Sequence, residues 1–394
     1  MAGGLVAAAL VALPLGGQTA EFASCLSRLR SAAAATGVTG RTFDQATAGI
    51  TPDESVIAAR ASQPEFTTPI WDYLALLVDD QRIGDGRAKL AEWDTVLARV
   101  ERRWGVDRHT VVAVWGVESD FGRILGGRPL VRSLATGACL GGRRDFSRRQ
   151  LLATLRILQD GDIPAEQLTG SWAGAFGQTQ FMPTTFLRLA VDGDGDGRRD
   201  IVGSVPDALA STANYLKQGG WRPDEPWGYE VRLPPAYRGV SGRTERRTLA
   251  QWARAGIRSL DGTPPRGPDT AALLLPAGRD GPAFLVFRNF DVIHSYNAAE
   301  SYALAIAHLA DRLRGGGPFA TPWPTDDRGL SRAERSEVQR LLADRGYDVG
   351  PVDGVLGSKS RAAIKAFQAD IGLDPTGRAG GLVLDALRNA ASSR

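Results

Sequence analysis

Glycine and proline crowd into ten residues late in the chain, Gly315-Gly316-Gly317-Pro318-Phe319-Ala320-Thr321-Pro322-Trp323-Pro324, and no apolar periodicity runs through them. Neither residue type sustains a helix or a central strand, so the stretch reads as a linker, taken here as residues 314–329. It divides the 394-residue chain into a long first region, 21–313, and a short second one, 330–390. A single small domain is excluded, because domains run at roughly 100–200 residues each.

The first region is mostly helical in pattern. Apolar residues recur at three- and four-residue spacing over 55–61, 71–77 and 90–102. Asp107 is a candidate N-cap for a helix reaching Glu118, and residues 150–159 and 207–218 look helical on the same grounds. Between Tyr229 and Phe290 the character changes, and the short apolar runs 271–275 and 283–287 read as strands. Helix returns over 299–313. After the linker, Ser331 and Glu334 form a capping box that opens a helix through Leu342. A glycine-rich loop follows over 346–357. Ser358 is a candidate cap for a second helix holding Ile364 and Phe367, and a third holds Leu382, Leu384 and Leu387. The expected fold class is α+β, mostly α, with a small strand-containing insertion and a small three-helix C-terminal domain. That last unit has no His and no Cys, which suits a binding module better than a catalyst.

Charge narrows the partners. The net charge is +3, and only Lys89, Lys217, Lys359 and Lys365 are lysines among 47 basic residues, so the rest are arginines. Arginine binds carboxylate and phosphate in bidentate fashion, which fits an anionic partner. No Lys/Arg-rich block of the kind DNA binders carry is present, and nucleic acid is not expected. The apolar run from Leu5 to Leu15 falls short of the ~20 residues that span a bilayer. Residues 1–20, MAGGLVAAALVALPLGGQTA, instead read as a secretory leader cleaved near Ala20, although no Lys or Arg precedes the apolar part. A buried N-terminal helix is the alternative. An exported, periplasmic location follows from the leader. Phe22 stands three before Cys25, where a lipoprotein site wants an aliphatic residue, so a lipid anchor is disfavoured. Cys25 and Cys139 are the two cysteines, and in an exported chain they permit one disulfide; two free thiols are the alternative.

Two segments could do chemistry. Residues 111–122 read VVAVWGVESDFG, which sets Glu118 at the end of an apolar helix. A carboxyl among apolar groups loses hydration and holds its proton longer, which suits a general acid; the alternative is a solvent-facing charge at a helix end. An ordinary glycosidase needs a second carboxylate roughly 5–10 Å away. Asp120 is a poor partner, because a two-residue step on a continuing helix turns by ~200°. The second segment is acidic: Asp192, Asp194 and Asp196 at loop positions 1, 3 and 5, the Arg198 carbonyl at 7 and Asp200 at 9 match the start of a calcium loop. Gly197 supplies the turn at position 6. Position 12 is Gly203 where a bidentate Glu is expected, and Asp207 is the nearest acid able to substitute. A solvated acidic turn without metal is the alternative. His109, His294 and His308 show no paired metal spacing.

Several motifs together resemble one family. WGVESDFG, then GSWAGAFGQTQFMPTTF over 170–186, then NFDVIHSYNAAESYALAI over 289–306, with DGDGDG between, resemble the B-type lytic murein transglycosylases in order and spacing. The last unit resembles a three-helix peptidoglycan-binding module through Asp353-Gly354, Gly357 and the run from Arg361 to Gln368, with Ser360 where Thr is common. The resemblance implies a lysozyme-like catalytic region over 21–313 that cleaves the β-1,4 MurNAc–GlcNAc bond without water. Glu118 occupies its acid/base position. Ser171, Gln180, Tyr296, Asn297 and Tyr302 match positions that line the glycan groove, each with a purely structural alternative. The acidic loop resembles the EF-hand-like loop of the family, a structural calcium site, and no catalytic cofactor is expected. Peptidoglycan strands are the expected partner of a monomer, with proteins of cell-wall synthesis or division as further candidates. Two rival readings stay open: a hydrolysing muramidase with a distant Asp, and a wall-binding scaffold without catalysis.

Overall fold

The computed structural model describes residues 15–58 and 68–392. The leader expected over 1–20 therefore lies largely outside the described residues. The chain divides into two compact units, one built from 1–61 and 124–211, the other from 62–123 and 212–394.

The first unit is helical. Its helices include Leu15–Ala35, Gly40–Thr47, Leu130–Leu140, Arg144–Asp160 and Pro183–Leu189. Leu130–Leu140 is buried along Leu130, Leu134, Ala135 and Ala138 and packs against Arg144–Asp160, whose Leu151, Leu155 and Ile157 face it from the core. Two short strands, β1 (Arg128–Pro129) and β2 (Thr169–Gly170), pair antiparallel and fix the start of the 170–186 loop. Cys25 and Cys139 form a disulfide that ties the first helix to Leu130–Leu140 across 114 residues of sequence.

The second unit holds the central helix, the sheet and the C-terminal module. Asp107 caps Arg108–Ser119 by accepting from the Thr110 N–H at 3.0 Å. Thr110 through Gly116 are all buried, and the helix packs on Glu300–Leu313, itself buried from Tyr302 to Ala310. Valine is a mediocre helix former, so burial on every side, not propensity, holds Val111, Val112 and Val114 in this helix. The strand-containing insertion is a five-stranded antiparallel sheet: β3 (Gly228–Arg232), β4 (Arg246–Thr248), β5 (Arg258–Ser259), β6 (Thr270–Leu274) and β7 (Ala283–Val286), in spatial order β4-β6-β7-β3-β5. The central strands β6 and β7 are buried on both faces, which is why they read as continuous apolar runs.

The glycine- and proline-rich segment is packed. Phe319 stacks on His308 at 3.8 Å and meets Phe284 edge-on at 4.7 Å. The Ala320 and Thr321 N–H groups both donate to the Glu230 carboxylate at 2.7 Å. An aromatic anchor and a carboxylate clamp thus hold a strap whose composition alone suggests a loose spacer.

The C-terminal module has helices Arg332–Ala343, Ser358–Asp370 and Gly381–Ser392 around Val338, Leu342, Ile364, Phe367, Leu384 and Leu387. The Ser331/Glu334 capping box is formed. Ser358 is not a cap: Gly357 is the cap residue and Ser358 the first helical one. The glycine-rich loop is stapled by buried Gln339, which donates to the Pro351 and Val355 carbonyls and accepts from the Gly354 and Asp353 N–H groups. The Ser360 hydroxyl accepts from Gln339 and donates to the Val349 carbonyl at 2.7 Å, so this position needs a hydroxyl more than a methyl.

Reduction of the Cys25–Cys139 bond, or Cys139→Ser, is expected to lower unfolding stability by about 3–5 kcal/mol, the loop-entropy value for a closure of this length. Urea denaturation with and without reductant measures it.

Candidate active site

The last turn of the central helix holds the half-buried pair Val117 and Glu118 between buried neighbours on either side. Trp115 and Gly116 are buried, Val117 and Glu118 are half-buried, and the helix stops at Ser119. Asp120 and Phe121 then both take left-handed backbone angles, φ 52° and 57°, followed by Gly122 at 83°. A non-glycine residue in that region costs on the order of 1–3 kcal/mol and persists only when its surroundings over-determine it. Here they do. The Asp120 N–H bonds the Gly116 carbonyl at 3.1 Å, and the Phe121 N–H bonds the Trp115 carbonyl at 3.3 Å. Ser119 Oγ accepts from the Gly122 N–H at 3.0 Å. The Phe121 ring folds back edge-on to Trp115 at 5.7 Å and lies against Gly116, where an added Cβ would stand 2.7 Å from it.

Asp120 itself is an ion-pair centre. Its carboxylate accepts from Arg82, from Arg123 at 3.0 Å and from Arg332 at 3.0 Å, and its side chain is 6% exposed. The helix ends at Ser119 and Asp120 leaves it in left-handed conformation, so rotation along a continuing helix no longer separates Asp120 from Glu118. Yet three guanidinium groups occupy the carboxylate and, against the cost of burial, hold its pKa below the ordinary range.

Glu118 meets Tyr302. The Tyr302 hydroxyl, buried within the Glu300–Leu313 helix, donates to Glu118 Oε1. Burial first, and the Glu118 charge second, push the Tyr302 phenol well above its usual range, so it stays a donor. Tyr296 stacks on Tyr302 at 6.3 Å, and Tyr215 lies 4.5 Å from Tyr296, with its hydroxyl donating to the Ser295 carbonyl at 2.7 Å. Asn297 sits in the turn before Glu300–Leu313, its carbonyl accepting from Ala299. The structure therefore brings Glu118, Tyr296 and Tyr302 together and adds Tyr215, which no motif marked.

Ser171 and Gln180 belong to the other unit, in the loop after β2. Ser171 Oγ accepts from the Ala175 N–H at 3.0 Å. Gln180, at φ 49°, spends its amide hydrogens on the Gly177 and Leu125 carbonyls, at 2.8 and 3.2 Å, so its structural role as a loop tie is explicit. Trp172 between them is exposed.

The acidic loop lies in the same unit as Ser171 and Gln180. Ligand atoms of Asp192, Asp194 and Asp196 lie within 4.8 Å of one another. Gly195 and Gly197, at φ 88° and 90°, let the backbone turn, and their N–H groups donate to the two Asp192 oxygens at 2.6 and 2.9 Å. The other expected ligands are not in that group. Asp207 is fully buried, and its oxygens accept from the Gly193 and Asp200 N–H groups at 2.8 and 2.6 Å, so it clamps both ends of the loop. Asp200 Oδ1 accepts from Val202 and Gly203. The Arg198 guanidinium pairs with Asp196 at 3.0 Å. Arg199 forks onto buried Asp162, anchoring the loop from outside.

Comparison with known proteins identifies the class. Residues 21–311 match the Transglycosylase SLT domain family and residues 331–387 a peptidoglycan binding domain family. The chain belongs to the SLT transglycosylase family and is a lytic transglycosylase, a lyase acting on peptidoglycan. Its fold matches SltB3 of Pseudomonas aeruginosa, solved with NAG-anhNAM-pentapeptide, at 48% identity and TM-score 0.75, over 93% of this chain and 99% of that one. Membrane-bound lytic murein transglycosylase B of Escherichia coli is 27% identical over 61% of this chain and 66% of that protein, just under two thirds of its length. Slt35 of Escherichia coli, solved in complex with calcium, shares the fold at TM-score 0.64 and 24% identity, over 75% of this chain and 92% of that one.

Gly116→Ala is expected to push the Phe121 ring off the helix and cost about 1–3 kcal/mol by overpacking. Chemical denaturation reads that loss directly.

Proposed function

We propose that Glu118 is the single acid/base of the lytic reaction at the β-1,4 MurNAc–GlcNAc bond. The observation that carries this is the Tyr302 hydroxyl bonded to Glu118 at the end of the buried helix. Glu118 in its acid form gives its proton to the glycosidic oxygen as the C1–O bond breaks. The carboxylate then takes the proton of the C6 hydroxyl of the same MurNAc, whose oxygen bonds to C1 and closes a 1,6-anhydro ring. The proton count returns to its start and no water is consumed. An intramolecular hydroxyl has a high effective concentration, so no protein nucleophile is required. The capture of Asp120 by three arginines supports this reading over a two-carboxylate hydrolase. So does the anhydro sugar bound to SltB3.

Tyr302 orients Glu118. Tyr296 and Asn297 line the glycan near it, and Ser171 and Gln180 give a hydroxyl hydrogen and an amide oxygen to sugar polar groups. Residues 21–313 form the catalytic region, 314–329 the connection and 330–390 the wall-binding domain. A tethered binding module raises the local concentration of an insoluble substrate. The protein acts as an exported, periplasmic monomer on peptidoglycan strands. The Cys25–Cys139 bond suits an oxidising compartment, and no described helix is long and apolar enough to cross a membrane.

The acidic loop takes a structural calcium ion through Asp192, Asp194 and Asp196, with the Arg198 carbonyl at position 7. Three convergent hard oxygens fit that cation, and Asp207 stiffens the loop around them.

Peptidoglycan digested by the protein is expected to release anhydro-muropeptides in mass spectra, and Glu118→Gln to release none. Reducing-end products would mean a hydrolase; activity surviving in Glu118→Gln would remove the residue from the chemistry.

Calcium at ten times its dissociation constant adds about 1.4 kcal/mol to stability. Melting temperature is therefore expected to rise with calcium and fall with chelator, and Asp194→Asn to abolish the difference. Superimposable melts of the unaltered protein would exclude the ion.

A further inference from the structure

Three carboxylates on the elements around the Glu118 helix grip the C-terminal module. Arg378 lays its guanidinium fork on Asp72 at 2.6 and 2.7 Å and also pairs with Asp327. The backbone N–H of Arg332, in the first turn of the module's first helix, donates to Asp79 Oδ2 at 3.2 Å. The other oxygen of Asp79 caps the Asp80–Glu92 helix through the Arg82 N–H at 2.8 Å. The Arg332 side chain then passes to Asp120 Oδ2 at 3.0 Å.

That last contact differs in kind from the other two. Asp72 and Asp79 sit on helix starts. Asp120 is the residue in left-handed conformation that closes the Glu118 helix, two positions from the acid. Arg82 and Arg123 reach it from the surrounding helices and loop, and Arg123 is shared with Asp85 at 2.6 Å. Arg332 supplies the third guanidinium from more than 200 residues away in sequence. Asp120 and Arg82 are poorly solvated, at 6% and 11% side-chain exposure, while Arg332 and Arg123 reach Asp120 from the surface at 29% and 49%. Removing one cation leaves a buried carboxylate under-compensated next to a strained turn.

We propose that Asp120 and Arg332 are positioning residues for lytic cleavage: the C-terminal module, besides holding the wall, completes the ion cluster that fixes the turn behind Glu118. This rests on Glu118 being the acid/base. A pure tether affects capture of the insoluble wall and leaves the rate on short soluble strands alone. A positioning contact does the reverse, because a small displacement of the acid from the glycosidic oxygen costs rate and not sugar binding.

The test uses full-length protein on soluble uncross-linked glycan strands and on intact sacculi. Arg332→Met keeps most of the stem and loses the fork. On soluble strands its kcat is expected to fall about tenfold with KM changed less than twofold. Sedimentation with sacculi is expected to be unchanged. Arg332→Lys is expected to restore part of kcat, and Asp120→Asn combined with Arg332→Met to be no slower than Asp120→Asn alone, since both remove one interaction. If Asp120→Asn does not fold, the Arg332→Met and Arg332→Lys pair decides alone. An unchanged kcat for Arg332→Met on soluble strands, with Glu118→Gln inactive, overturns the positioning role and leaves the catalytic reading intact. Activity in Glu118→Gln overturns the catalytic reading itself, whatever Arg332→Met does.

Discussion

The site depends on the burial of the middle of one helix, Thr110 through Gly116. Arg108–Ser119 carries valines that would not choose a helix in water, and it exists because Glu300–Leu313 and its other neighbours enclose it. In its last turn Val117 and Glu118 are half-buried, while Ser119, Asp120 and Phe121 after them return to the core. A carboxyl placed there is held rigidly by the core below it and remains reachable from outside. Tyr302 comes from the partner helix of the same packing, so the interaction that builds the core also delivers the hydroxyl to Glu118. Fold and chemistry share one interface, and Gly116 shows how tight it is: one methyl group there would collide with the ring that closes the helix.

What the sequence made legible was local. The Asp107 cap, the Ser331/Glu334 box and the strands read over 271–275 and 283–287 rest on signals within a few residues; the cap and box form, and the strands form over Thr270–Leu274 and Ala283–Val286. The site motifs were legible through resemblance, and the pairing of Glu118 with Tyr302 joins two of them across 184 residues. Roles that depend on distant partners were not legible. Asp207 reads as a ligand because it is the next acid along, but two backbone N–H groups converge on it first. Gln180 reads as a sugar contact, and the sequence does not show that its amide hydrogens also tie the loop. The glycine- and proline-rich strap reads as slack, because composition does not reveal that Glu230 waits for its N–H groups.

The scarcity of lysine acquires a structural meaning. Arg378 on Asp72, Arg388 on Glu337, Arg199 on Asp162 and Arg30 on Asp44 are all two-pronged contacts that a point-charge ammonium would not reproduce. Exposed pairs of this kind contribute little to stability. Their value lies in geometry: a planar fork fixes the angle between two elements as well as their distance. Of these forks, Arg378 on Asp72 joins the C-terminal module to the helix Ile70–Leu77.

The strained turn after Glu118 unites these points. Two successive non-glycine residues in left-handed conformation are costly, and glycine at either place would relieve the cost. The chain instead keeps an aspartate and a phenylalanine. Phe121 wedges the helix end into the core, and Asp120 collects three guanidinium groups from separate parts of the chain. A glycine turn would be relaxed and mobile. This one is strained and fixed from both sides, by packing beneath and by charge above, and Glu118 stands two residues before Asp120, the first of the pair whose backbone contacts hold it.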